Sequence, residues 1–262
     1  MTVRLGSFVL AFLSCLLFRH EARAVEIKVM ASAAFKAAYL QLYPGFEQAT
    51  GNTIVNAWGP AMGTTPQAVP NRIARGEPLD VAIVSSAALD DLIAKGVIIP
   101  SSRRELAIST IGAAVKAGAP KPDIGTVDAF KRALENAKSI AYSDSVSGVY
   151  ISTVLYDKLG VSDAVKAKST MIFADPVGGV IAEGKAELGF QQVSELKPVK
   201  GIDIVGPIPA DIQKVTVYVA GVAKNAAQPE AAMALVEYLS SPAAADVVRA
   251  TGMTPPGQLN QK

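Results

Sequence analysis

Five short polar turns carry most of the residue types in this sequence that could bind a small anion. Each turn follows a predicted strand and opens onto a predicted helix. Free backbone N–H groups at a helix N-terminus bind anions, and hydroxyl and amide side chains add donors. The candidate ligand-binding residues in these turns are Ser32 and Ala33; Met62, Gly63 and Thr64; Ser85 and Ser86; Ser145, Ser147 and Gly148; and Gln191 and Gln192. We therefore expect an anion-binding cleft, although ordinary helix capping explains any single turn of this kind.

The elements that must position these turns alternate between strand and helix. Predicted strands at 25–30, 53–57 and 79–84 alternate with predicted helices at 33–48, 66–75 and 87–95. An apolar segment at 106–116 is expected to be extended. The alternation then restarts with a helix at 127–137 and a strand at 139–142. This α/β pattern predicts parallel sheets covered by helices, with ligands bound beyond the carboxyl ends of the strands.

The pattern occurs twice, which predicts two α/β lobes with a cleft between them. No stretch rich in glycine, serine or proline separates the two sets of elements. A flexible tether would have such a composition, so a hinge of crossing strands is expected instead.

The first 24 residues have the pattern of a secretory signal peptide. Arg4 precedes the apolar run from Phe8 to Phe18, and a small-x-small end follows at residues 22–24. The run is shorter than the roughly 20 apolar residues of a membrane-spanning helix, which disfavours the alternative of a retained anchor. We expect export to the periplasm and no membrane association after cleavage.

Removal of that segment changes both the charge and the available chemistry. Three arginines and one glutamate leave with it, so the 25 basic and 23 acidic residues become 22 of each. A neutral body gives no reason to expect a nucleic acid partner. Cys15 and His20, the only cysteine and histidine, leave as well. Disulfides, zinc sites, a cysteine nucleophile and a Ser-His-Asp triad are thereby excluded, and we expect neither a metal nor a cofactor.

Four segments carry a family pattern: 25–32, 79–86, 141–150 and 180–189. The last of these contains the motif E-G-x-A-x-x-G at Glu183–Gly189. Together they resemble the periplasmic molybdate-binding family over nearly the whole mature chain. The resemblance implies a type II periplasmic-binding-protein fold, with two α/β lobes joined by a two-strand hinge. Its implied limits are 25–108 for the first lobe, 109–205 for the second, and 206–262 for a return to the first.

Two ligand positions depart from the molybdate pattern. Gln192 stands where molybdate binders commonly carry a tyrosine, and Met62-Gly63-Thr64 replaces a serine-rich turn. Arg72 lies just beyond that turn, and a guanidinium in the cleft would suit a planar carboxylate. Segments 62–75, 141–150 and 176–196 resemble one branch of the family, whose members include isomerases that act on aconitate. This resemblance implies a tricarboxylate ligand, but the branch also contains plain binding proteins.

Two functions therefore stay open. The first is the interconversion of cis- and trans-aconitate by a cofactor-independent allylic proton shift. Without histidine or cysteine its base must be a carboxylate, a lysine or a tyrosine, and the candidate catalytic residues are Asp144, then Tyr150 and Glu195. The second is a solute-binding protein that delivers a tricarboxylate or a molybdate-like oxyanion to an ABC permease without chemistry.

The signal-peptide interpretation predicts the N-terminus of the exported protein. The exported chain should begin close to Val25, because the small-x-small end at residues 22–24 is typical of a cleavage site. Intact-mass spectrometry of protein released from the periplasm measures this directly. A mass that retains Met1 would contradict export by this route.

Overall fold

Two five-stranded sheets form the framework of the protein. The computed structural model describes residues 24–173 and 175–258, and the predicted signal peptide lies outside them except for Ala24. The strand order is β2-β1-β3-β10-β4 in the first sheet and β7-β6-β8-β5-β9 in the second. The strands are β1 (Glu26–Ser32), β2 (Thr53–Gly59), β3 (Val81–Ser85), β4 (Arg104–Ser109), β5 (Ile111–Lys116), β6 (Ile140–Ser143), β7 (Ser169–Ile172), β8 (Leu188–Gln192), β9 (Ile202–Pro207) and β10 (Thr216–Val222).

Helices connect these strands. They are α1 (Ala33–Thr50), α2 (Val69–Ala74), α3 (Ser86–Ala94), α4 (Val127–Asn136), α5 (Val146–Tyr150), α6 (Tyr156–Lys158), α7 (Ser162–Val165), α8 (Val177–Ala182), α9 (Val193–Leu196), α10 (Pro229–Leu239) and α11 (Ala245–Ala250). A π-helical turn, Ile151–Leu155, joins α5 to α6 without a break. Among the described residues, no helix has the length and apolarity needed to span a bilayer.

Each sheet is mixed, so the expectation of purely parallel sheets is wrong. Strands β2, β1 and β3 are parallel, as are β7, β6 and β8, but β10 and β5 run antiparallel to their neighbours. The predicted extended segment 106–116 is two strands, β4 and β5, which belong to different sheets. The chain crosses at Thr110 and returns between Pro207 and Thr216. A strand that enters a sheet from the other lobe is free to run against its neighbours, whereas a local βαβ unit is not.

The two sheets have separate hydrophobic cores, which makes the molecule two α/β lobes with a two-strand hinge. In the first lobe, α1 and α10 bury Phe35, Tyr39 and Leu235 against the sheet. In the second, Phe130 of α4 meets Phe190 of β8 edge to face, with ring centroids 5.5 Å apart. The exact lobe limits of the sequence analysis stay a proposal.

The carboxyl ends of the parallel strands face the space between the lobes. Ser32 and Gly59 end the paired strands β1 and β2, and Gln192 ends β8. Helix α1 of the first lobe also packs against α9 of the second. A Cβ on Gly252, next to α11, would lie 3.0 Å from Cγ1 of Val193 in α9. The lobes are therefore in direct contact beside the cleft.

Helix α5 approaches the end of β6 so closely that Gly148 has no room for a side chain. A Cβ at this position would lie 1.7 Å from the carbonyl oxygen of Ser143, a backbone atom that has no room to yield. We expect Gly148→Ala to lower the free energy of unfolding by about 3 kcal/mol or more. Gly179 of α8 is a matched control, because nothing lies within 4 Å of its Cβ position.

Gly179→Ala should be neutral or stabilising by about 0.5–1 kcal/mol, since alanine is the better helix former. Urea unfolding of both variants measures the difference. Equal effects in the two variants would show that the close approach at Gly148 does not constrain the fold.

Candidate active site

A cavity of about 500 Å³ lies between the two lobes. Its wall is polar at the strand ends, and along α1 it is apolar except for Lys36. The lining residues are Ser32, Ala33, Lys36, Ala37, Leu40, Trp58, Gly59, Pro60, Gln67, Ser143, Asp144, Ser145, Asp175, Pro176, Gln191, Ser194, Glu195, Pro198 and Val199. The volume suits a small organic molecule with several polar groups.

The cavity brings together one subset of the residues that the sequence analysis selected. These are Ser32, Ala33, Asp144, Ser145, Gln191 and Glu195. They come from the ends of β1, β6 and β8 and from α9, where the two sheets face each other. The selected residues outside the lining are Met62, Gly63, Thr64, Arg72, Ser85, Ser86, Ser147, Gly148, Tyr150 and Gln192. Their assignment to a ligand remains a prediction.

Arg72 forms an ion pair outside the cavity. Its Nε atom donates to Oε2 of Glu77 over 2.8 Å, and Nη2 lies 2.8 Å from the same oxygen. Arg75 holds the other oxygen of that carboxylate, and these two arginines keep the pKa of Glu77 below its usual value. Arg72 therefore shares in a surface ion pair on the first lobe.

Tyr150 and Ser86 also have partners elsewhere. The Tyr150 hydroxyl donates to the carbonyl of Ile212 over 2.9 Å, and burial raises its pKa. Arg103 donates to the Oγ atom of Ser86 over 2.8 Å. Tyr150 thus ties α5 to the segment after β9, and Ser86 ties α3 to the segment before β4.

Residues 62–64 of the turn after β2 contact the second lobe and lie outside the cavity lining. Gly63 has a φ of +123°, and a Cβ there would lie 2.9 Å from the carbonyl oxygen of Asp144. Asn71 holds the turn by donating to the carbonyls of Gly63 and Thr65. Glycine is needed at this position because both the backbone angle and the close approach disfavour a side chain.

Lys36 is a lining residue that the sequence analysis missed. Among the described residues that line the cavity it is the only cationic one, and its Nζ atom lies 5.0 Å from the centre of the Trp58 ring. Lys36 follows the N-cap Ser32 by four positions, so both lie on one side of the first turns of α1. That spacing after a polar turn was the signal that could have identified it. The other polar residues missed are Gln67, Ser143, Asp175 and Ser194.

Glu195 is held by a defined set of hydrogen bonds. It stands three positions after the N-cap Gln192 of α9, and its carboxylate accepts a hydrogen bond from the Gln192 backbone. This is the glutamate half of a capping box. Nε2 of Gln191 donates to Oε1 of Glu195 over 2.9 Å. Gln191 is itself fixed, because its Oε1 accepts from the backbone N–H of Val177 over 3.0 Å.

Burial raises the pKa of Glu195 to about 7. Loss of hydration is the largest cause, and the negative charge of Asp144 acts in the same direction. The hydrogen bonds from Gln191 and from the Gln192 backbone oppose these effects without cancelling them. A carboxyl group with this pKa exchanges a proton readily near neutral pH, as a general acid or base must.

Tyr218 is the residue of the first lobe that interacts with Glu195. It is buried in β10, and its pKa lies well above the usual value, first because of burial and then because of the charge of Glu195. A hydrogen bond with the Ser32 side chain acts in the opposite direction. Glu195 of the second lobe therefore interacts with Tyr218 of the first and with Asp144 and Gln191 of its own, and Ser32 holds the Tyr218 hydroxyl.

The described residues contain no group of three or more His, Cys, Asp or Glu side chains that could hold a metal ion. The residues that line the cavity offer carboxyl groups for proton transfer, and hydroxyls, amides and one ammonium group for binding.

Comparison with known proteins agrees with the resemblance in the sequence. The model of the family described as bacterial extracellular solute-binding protein matches residues 27–254. An aconitate isomerase of a Pseudomonas species is 46% identical over 254 residues, which are 97% of this chain and 96% of that protein. The molybdate-binding protein ModA of Azotobacter vinelandii is 27% identical over 88% of this chain and 90% of its own length.

The comparison with solved structures gives the same fold. The solved periplasmic molybdate-binding protein of Azotobacter vinelandii superimposes with a TM-score of 0.70. The match covers 88% of this chain and 99% of that one, at 24% identity. The type II binding-protein fold and the family resemblance are thereby confirmed.

The raised pKa of Glu195 makes a prediction about stability. The unfolded chain ionises this carboxyl near pH 4.5 and the folded protein near pH 7. Between those values the folded state binds more protons, so the free energy of unfolding must fall as the pH rises. Relative to Glu195→Gln, the wild type should lose up to about 3 kcal/mol between pH 4 and pH 9.

Urea unfolding at several pH values measures this difference. Glu237→Gln is the control, because Glu237 is exposed and has only a 4.0 Å ion pair with Arg104; its difference from the wild type should barely change with pH. Parallel stability curves for wild type and Glu195→Gln would mean that Glu195 has an ordinary pKa.

Proposed function

The chain belongs to the bacterial extracellular solute-binding protein family, and from this premise we propose that it is a periplasmic aconitate isomerase that interconverts cis- and trans-aconitate. One observation carries the proposal. A protein named aconitate isomerase is 46% identical to this chain, and the match extends over nearly the whole of both proteins. The cavity supports it independently, because it contains carboxyl groups suited to proton transfer.

The charges in the cavity favour an enzyme over a plain anion binder. Asp144, Asp175 and Glu195 line it, against the single ammonium group of Lys36. Carboxylates repel an anionic ligand, so a protein selected only for binding a tricarboxylate or an oxyanion gains nothing from them. A proton-transfer enzyme needs such a group, and a pKa near 7 reduces its charge in the resting state.

The remaining wall offers a clamp for carboxylates. Lys36 can exchange its contact with the Trp58 ring for a charge-assisted hydrogen bond. The first turn of α1 presents Ser32 and Ala33 at the cavity, and a helix N-terminus attracts negative charge. Ser145 and Ser194 add hydroxyl donors on the opposite lobe. These groups would orient the three carboxylates of the substrate.

The reaction needs only one proton to leave and one to return. A base removes a proton from the methylene carbon of aconitate, and the electron pair spreads over three carbons onto the carboxylate at the far end. A proton then adds at the former vinyl carbon, and the double bond has moved by one position. Because both end carbons carry a carboxylate, the product is again aconitate, in the cis or the trans form. No oxidant, reductant or cofactor enters the balance.

We assign the proton transfer to Glu195. Its ionised form at neutral pH is a stronger base than an ordinary carboxylate, because burial disfavours the charge. Asp144 was the first candidate in the sequence, and in this proposal its negative charge raises the basicity of Glu195. The same carboxyl can remove and return the proton, since the two carbons are separated by one atom.

A second function rests on the family match and on the molybdate-binding relative. The protein would then close around a tricarboxylate or an oxyanion and deliver it to an ABC permease. Tight binding without turnover would establish this function instead.

Turnover by the purified protein decides between the two proposals. We expect a new trans vinyl signal when cis-aconitate is incubated with a catalytic amount of protein and followed by proton NMR. Glu195→Gln should lower kcat about 10²–10⁴-fold and retain most of the affinity, because the amide cannot accept the proton. No turnover by the wild type at any pH would contradict the isomerase.

The variant Asp144→Asn distinguishes the roles of Asp144 and Glu195 in the same assay. If Asp144 only raises the pKa of Glu195, the variant keeps turnover and its pH profile moves to lower pH. A loss as large as that of Glu195→Gln, with an unmoved profile in the residual activity, would identify Asp144 as the base.

A further inference from the structure

Both polar atoms of the Gln191 side chain have hydrogen-bond partners beside the cavity. Its Oε1 accepts from the backbone N–H of Val177 over 3.0 Å, and its Nε2 donates to Oε1 of Glu195 over 2.9 Å. The side chain is 4% exposed. An amide in this position has no freedom to invert, because a backbone N–H can only donate and therefore requires the oxygen.

This orientation has a consequence for Glu195. Since the amide oxygen is committed to Val177, the group that faces Glu195 is always the NH₂ donor. The oxygen Oε1 of Glu195 is then always an acceptor from this amide, which directs a proton on the carboxyl to the other oxygen, Oε2. The Gln192 backbone N–H also donates to the carboxylate, and variants at position 191 leave that bond in place. The amide also favours the ionised carboxylate and so limits how far burial weakens its acidity.

We infer that Gln191 is a positioning residue for the reaction proposed above: locked by the Val177 N–H, it fixes Oε1 of Glu195 as an acceptor and leaves Oε2 as the oxygen that takes and returns the substrate proton. The inference rests on the proposed function for its catalytic part. The hydrogen-bond chain from Val177 through Gln191 to Glu195 is independent of that function.

Other titratable or charged groups interact with Glu195 or line the same cavity, and they must be held constant in any test. Asp144 approaches from the loop after β6, Tyr218 from β10, and Lys36 and Asp175 line the same cavity. Variants at position 191 leave all four in place. A change in the titration of Glu195 is therefore attributable to the amide.

Gln191→Met keeps the length of the side chain and removes its donor. The carboxylate then loses one charge-assisted hydrogen bond, and the pKa of Glu195 should rise by about one unit, from about 7. Carbon NMR of protein labelled at the glutamate carboxyl carbon measures this in the ligand-free protein, with Glu195→Gln to identify the signal. Gln48→Met, on the exposed end of α1, is the matched control and should leave the titration unmoved.

The pH profile of kcat/KM is the second readout. Its rising limb should move to higher pH by the same amount in Gln191→Met, so that activity falls about tenfold more at pH 6 than at pH 9. A merely structural role would lower activity equally at all pH values. Gln191→Glu covers the case in which the methionine variant does not fold, because it keeps an oxygen for Val177; two adjacent carboxyl groups should then move the limb further in the same direction.

The outcomes separate this inference from the proposed function. An unmoved titration of Glu195 in both variants, with an active wild type, overturns the role of Gln191 and leaves the isomerase intact. A wild type without turnover overturns the isomerase and, with it, the catalytic part of this inference, whatever the NMR titration shows. A shifted titration together with a shifted activity limb supports both.

Discussion

The dehydration of one carboxyl group, Glu195, is the constraint on which the site depends. Helix α9 carries Glu195 into the space between the lobes, where α1 and the region of Gly252 pack against the same short helix. Glu195 is half-buried, and its carboxyl loses hydration because both lobes contribute to its surroundings. Its pKa near 7, and hence the chemistry available at neutral pH, is therefore a property of the two-lobed arrangement.

The hydrogen bonds to Glu195 reduce the cost of its buried charge, but they also lower its basicity. A buried carboxylate without partners would be costly, and the donors from Gln191 and from the Gln192 backbone reduce that cost. Full compensation would return the group to an ordinary acidity and make it a weak base. The loss of hydration and the nearby charge of Asp144 keep the pKa of Glu195 above that of an ordinary carboxyl group. Removing any one of these groups should thus change the pH range of activity before it changes the fold.

The same fold can bind a ligand or transform it, and the difference lies in a few side chains of the cleft. Helix N-termini, hydroxyls and a closing pair of lobes are sufficient for capture. Carboxyl groups in an anion site weaken capture, and their presence here is understandable if they move protons. The family match describes the framework, and the function depends on what lines it.

The sequence by itself determined the classes of structure and chemistry. The alternation of strands and helices predicted α/β lobes, and the polar turns after the strands predicted residues at the edge where the cavity lies, because both patterns are local. The confinement of Cys15 and His20 to the predicted signal peptide restricted the candidate bases to carboxylates, lysine and tyrosine. Ser32, Asp144 and Glu195 could be selected from these arguments alone, and the resemblance to a known family supplied the two-lobed order.

Only the tertiary structure decided which of the candidates meet. Arg72 pairs with Glu77 and Tyr150 with Ile212, whereas Lys36 and Gln191 face the cavity, and no local pattern distinguishes these cases. The segment 106–116 became two strands because the chain crosses between lobes, a long-range event without a local signal. The acidity of Glu195 likewise depends on residues distant in the chain that reduce its hydration, and these residues come near it only after the lobes have packed together.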